Sequence, residues 1–90
     1  MTSFKPAHAA VWFEIPVTDL DRSKRFYETV LQTELTLEDG GPNMMAVFPG
    51  GDEQSVRGHL YPGKPAASGT GNTIHLAVGA PIEAAMERVT

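Results

Sequence analysis

The spacing of the apolar residues changes sharply across Thr18-Asp19, and that change constrains the fold more than any other feature. Before it, Val11, Phe13 and Ile15 alternate with Trp12, Glu14 and Pro16, the two-residue repeat of a strand with one buried face. After it, Leu20, Ser23, Tyr27, Val30 and Leu31 recur at helical spacing. Phe26 widens that stripe, and Arg22, Lys24, Arg25 and Glu28 lie mostly off it. Thr18 and Asp19 carry side chains that cap a helix start. A strand over 10–16 therefore feeds an amphipathic helix of about 12–14 residues that packs on one side.

Three short strands follow. Thr33–Glu38 alternates Leu35 and Leu37 with polar residues, and Met44–Phe48 is compact and apolar. Val56–Tyr61 sets Arg57, His59 and Tyr61 on one face and Val56, Gly58 and Leu60 on the other. Gly40-Gly41-Pro42-Asn43 and Pro49-Gly50-Gly51-Asp52 supply turn chemistry between them. Gly63–Gly71 has no periodicity and reads as a surface connection, a linker or a flap. Asn72–Val78 alternates again, with Ile74, Leu76 and Val78 opposite Thr73, His75 and Ala77, which predicts a strand. Pro81 suits the first turn of a helix whose stripe is Ile82, Ala85, Met86 and Val89. Setting Glu14–Val17 over His75–Val78 reveals a weak internal repeat of strand, turn and helix.

Composition narrows the function classes. At 90 residues the chain is small for a domain, and such a domain buries only about 60–65% of its unfolded surface. Hydrophobic residues at 41% and charged residues at 20% are those of a globular domain. The net charge of −4 argues against a nucleic-acid partner, and Arg22, Lys24 and Arg25 read as a solvated helix face. The absence of cysteine rules out disulfides, thiolate zinc sites and a cysteine nucleophile, and points to a reducing compartment. Residues 1–10 show no apolar leader core, and no run approaches the roughly 20 apolar residues of a membrane span. The expectation is a cytoplasmic protein with no membrane partner.

The run from Val11 to Ser23, Val-Trp-Phe-Glu-Ile-Pro-Val-Thr-Asp-Leu-Asp-Arg-Ser, with Phe26-Tyr27 and Val30-Leu31 after it, resembles the opening of vicinal oxygen chelate proteins. These form the glyoxalase, bleomycin-resistance and extradiol-dioxygenase superfamily. His75-Leu76-Ala77-Val78 is similar to the start of that family's second module. The resemblance implies an α+β fold, two βαβββ modules whose curved sheets enclose a cleft. It divides the chain into a tail (1–9), a first module (10–62), a Gly/Pro-rich connection (63–71) and the strand and helix of an incomplete second module (72–90). The chain then reads as truncated, and its exposed apolar faces favour a homodimer, with modules pairing within one chain or across two.

Superfamily enzymes use a divalent metal as a Lewis acid on two neighbouring substrate oxygens. The family's usual first-strand ligand position falls on Trp12, and its counterpart in the second module falls on Thr73. Neither suits a metal. Glu14 and His75 lie two residues further along, on the same strand faces and at equivalent places in the half-repeats, and His59 falls where the family often has another ligand. Glu14, His59 and His75 would hold zinc, nickel, iron or manganese, and no organic cofactor is implied. The alternatives stay open: Glu14 and His75 as polar cleft residues without metal, Glu14 as a solvated or ion-paired carboxylate, or Glu14 as a general base if the cleft desolvates it.

Trp12 either stacks on a planar ligand or packs in the barrel. Arg57 and Tyr61 either bind an anionic group or form ordinary strand surface. His8 has no role, and Gly69-Thr70-Gly71 lacks the strand–loop–helix setting of a phosphate site. Three functions follow from the resemblance. One is a metal-dependent lyase, isomerase or dioxygenase acting on a small molecule. The second is a non-catalytic binder of a drug or metabolite. The third is a module that works only when paired.

Overall fold

The computed structural model describes residues 3–41, 43–79 and 81–89. It contains β1 (Trp12–Val17), α1 (Leu20–Leu31), β2 (Thr36–Asp39), β3 (Met44–Val47), β4 (Arg57–Pro62) and α2 (Ile82–Val89). The four strands form one sheet in the order β1-β4-β3-β2. β1 runs parallel to β4, and the other two neighbouring pairs are antiparallel. The chain is thus α+β with a βαβββ start, as the sequence implied. α1 provides the crossover that a parallel β1–β4 pair requires.

Local chemistry accounts for the elements. Asp19 caps α1, its Oδ1 accepting from the Arg22 backbone N–H at 3.1 Å. The helix ends at Gln32, a non-glycine residue in the left-handed region (φ 53°), whose side-chain amide donates to the Thr29 carbonyl at 2.8 Å. Glu28 ties α1 to the chain entering β2, accepting from the Leu35 backbone N–H at 2.9 Å and lying 3.1 Å from Lys24 Nζ. Pro16, which has no N–H to give a ladder, sits on the edge strand β1. At Gly58 the Phe13 ring and carbonyl approach so closely that a Cβ would lie 2.4 Å from each, so only glycine fits there.

The core lies between α1 and the sheet. Val17, Leu35, Ala46, Phe48 and Leu60 are buried, with Phe13, Ile15, Leu20, Tyr27 and Leu31 packed against them. Phe48 meets Phe13 at a ring separation of 5.4 Å and Tyr27 edge-on at 5.6 Å. Burial raises the Tyr27 phenol above its ordinary pKa.

Two expectations need correction. Residues 72–79 form no strand, so the predicted strand over 72–78 is absent. Every ladder among the described residues lies within 12–62, and an alternating sequence with no neighbour to take its N–H and C=O groups has nothing to make it a strand. The helix after it does form, but α2 packs on α1, not on the sheet. Ala85 is buried there, and Arg88 Nε donates to the Val30 carbonyl at 3.0 Å. The rest of the α2 stripe, Ile82, Met86 and Val89, is exposed because nothing covers that side of the helix among the described residues. The predicted stripe of four is therefore buried at one position. Among the described residues no helix is long and apolar enough to cross a membrane.

Candidate functional site

The parallel register of β1 on β4 builds the site. Trp12 lies opposite Arg57, Glu14 opposite His59, and Pro16 opposite Tyr61. Side chains alternate with a period of two, so these residues share the face turned away from α1, while Phe13, Gly58 and Leu60 share the core face. On β3, Val47 lies opposite His59 and forms part of the floor beside it, 4% exposed.

His59 is the centre of the cluster. Its side chain is only 11% exposed. The Trp12 indole Nε1–H donates to His59 Nδ1 at 2.9 Å, with the two rings tilted at 51°. His59 Nε2 faces Glu14 Oε1 at 3.5 Å, and the Tyr61 ring stands edge-on to the imidazole at 5.8 Å. The Arg57 guanidinium carbon lies 6.0 Å from the centre of the Trp12 ring, at the limit of a cation–π contact. Trp12 is 42% exposed and the Glu14 side chain 61%, so one aromatic face and one carboxylate stand in solvent above a nearly enclosed imidazole.

Of the residues singled out in the sequence, Trp12, Glu14, Arg57, His59 and Tyr61 come together. His75 and Thr73 do not join them. Both are exposed and line an open groove of about 900 Å³ in which residues 73–79 face Phe13, Leu31, Phe48 and Val56. Phe13 and Phe48 belong to the core side of the sheet, so this groove opens there, and Arg57 is the one residue of the Trp12–His59 cluster that borders it.

The donor chemistry bears on the metal that the resemblance implies. Among the described residues no three His, Cys, Asp or Glu side chains are placed to hold one ion. Glu14 and His59 supply two donor groups, and one imidazole nitrogen is already engaged by the indole. This set does not fit a resident divalent ion, which takes three protein ligands or more in a catalytic zinc site. What the arrangement offers is a flat aromatic surface with a carboxylate and a guanidinium beside it.

Sequence reasoning missed the Trp12–His59 bond. Alternation placed each residue on its face, but the register that brings position 12 within reach of position 59 carries no local signal. The groove was also missed, since it depends on residues 73–79 remaining unpaired.

Residues 10–31, which hold β1, the Asp19 cap and α1, match the family model described as bleomycin resistance protein-like N-terminal. No curated protein and no solved structure matches the chain. The match falls on the strand–cap–helix run that carries the resemblance to vicinal oxygen chelate proteins, and the βαβββ topology agrees with it.

Proposed function

We propose, from a first strand and helix of the bleomycin resistance protein-like kind, that this chain binds a planar small molecule by stacking on Trp12. One observation carries the reading: a half-exposed indole is held in place by a hydrogen bond to an enclosed histidine. A ring already fixed loses little freedom when a ligand stacks on it, so more of the contact energy appears as affinity. In this reading Arg57, beside the indole, takes an anionic substituent and Glu14 a basic one. The test is Trp12 emission, the only tryptophan signal in the chain, across a panel of planar heteroaromatic compounds without metal. Saturable quenching, with calorimetric heats abolished in Trp12→Ala, supports the reading. A panel that leaves the emission unchanged refutes it.

A second reading, that the module pairs with another copy, is favoured by the exposed Ile82, Met86 and Val89 stripe on α2. Sedimentation should then give a dimer that Met86→Glu dissociates. A compact monomer at high concentration would exclude it.

A further inference from the structure

The Trp12 indole carries a donor and no acceptor, so the nitrogen it meets at 2.9 Å must accept. That nitrogen is His59 Nδ1, and an accepting Nδ1 bears no proton. The proton of the neutral ring is then on Nε2, 3.5 Å from Glu14 Oε1. Turning the ring over would put carbon atoms at both contacts and satisfy neither.

We infer that Trp12 fixes His59 as the Nε2–H tautomer and so prevents the Glu14–His59 pair from acting as a cation site. An imidazole binds a metal through a bare nitrogen. Here the Nδ1 lone pair is taken by the indole, and Nε2 holds the proton. Ligation at Nε2 would move that proton to Nδ1, where it would meet the indole N–H donor to donor. Metal-bound histidines have the opposite arrangement, giving their second N–H to an acceptor. At this position Trp12 presents a donor, and the pair is left as an N–H and a carboxylate that can both hydrogen-bond. The inference concerns the ligand-free chain and does not depend on the stacking reading.

The test is long-range proton–nitrogen correlation of the histidine rings in the full ¹⁵N-labelled chain at about pH 8, followed by titration with zinc ion alone. The expected spectrum shows His59 with a bare Nδ1 and a protonated Nε2. Trp12→Phe keeps a ring and removes the donor. It should show both tautomers, with zinc moving the His59 signals at a concentration at least about fivefold lower than in the unaltered chain, the scale of one lost hydrogen bond. An Nδ1–H tautomer in the unaltered chain overturns the inference, as does zinc acting equally on the two proteins. If Trp12→Phe fails to fold, the tautomer in the unaltered chain still decides the matter.

Discussion

Gly58→Ala tests the register on which the whole site depends. Gly58 is the ladder partner of Phe13, and an added Cβ would lie 2.4 Å from both Cγ and the carbonyl oxygen of that residue. Swinging the phenyl away about χ1 would relieve only the first contact. The backbone contact persists until β1 moves away from β4. Overpacking of this kind costs about 1–3 kcal/mol, and partial exposure of Phe13 adds about 1–2 kcal/mol. Against this, the lower entropy of the unfolded chain returns about 0.4–1 kcal/mol. The net loss is about 1–4.5 kcal/mol. At about 4–8 °C per kcal/mol for a domain this small, it should lower Tm by roughly 5–35 °C in a far-ultraviolet circular dichroism melt. Urea denaturation should show the same loss with m unchanged. Gly51→Ala is the control: its Cβ would find only Ser55 Oγ at 3.9 Å, and stability should stay within about 0.5 kcal/mol. Equal stability of the two variants would refute the β1–β4 register and, with it, the meeting of Glu14 and His59.

Other consequences are independent of that register. Asp19→Ala removes the acceptor of the Arg22 N–H and should cost about 1 kcal/mol in chemical denaturation; no change would mean that Asp19 is not the cap. The Leu35 N–H, with Lys24 second, holds the Glu28 carboxyl below its ordinary pKa. Its stabilisation is thus present above the unfolded value and lost as pH falls through the folded one, and Glu28→Gln should flatten the acid side of a stability–pH curve while lowering the neutral plateau. Burial raises Tyr27, so stability is present below the unfolded value near 10 and falls as pH rises through the higher folded value. Tyr27→Phe should therefore resist alkaline unfolding, as followed by circular dichroism between about pH 9 and 12, and an unchanged alkaline midpoint would contradict the burial.

What the sequence made legible was local. The α1 stripe, its cap at Asp19 and the alternation in β1 and β4 are set by neighbours a few residues apart, and their faces emerged as read except at Val11 and Phe26, which are exposed. Arg57, His59 and Tyr61 shared a face because a strand's period leaves no other choice. The same rule gave Thr73 and His75 a face on a strand that does not form. Alternation states which way side chains would point if a ladder existed, and it says nothing about whether a partner strand is available. For α2, spacing identified the apolar stripe, while the surface against which Ala85 packs was a matter of tertiary arrangement. The family resemblance carried the strand–helix start and the topology; the pairing of Trp12 with His59 is particular to these residues.

The polar cluster and the groove along residues 73–79 lie on opposite sides of one sheet, with Arg57 alone bordering both, and this sets what binding at Trp12 can be. An aromatic ring enclosed on both faces buries about 150–250 Å². Stacking on one side of Trp12 removes about half of that from water, worth about 2–3 kcal/mol at 25 cal/mol per Å². Millimolar affinity already needs about 4 kcal/mol. The remainder must come from Arg57 and Glu14, the charged groups at hand, or from a second surface laid over the indole. Pairing through Ile82, Met86 and Val89 would not provide that surface, because α2 packs on α1, on the far side of the sheet from Trp12. A second copy could tighten binding at this site only by covering the Trp12–Tyr61 face itself or by extending the sheet at β1. Self-association and ligand affinity are therefore separable in this chain: a substitution on α2 that abolishes the first should leave the second unchanged.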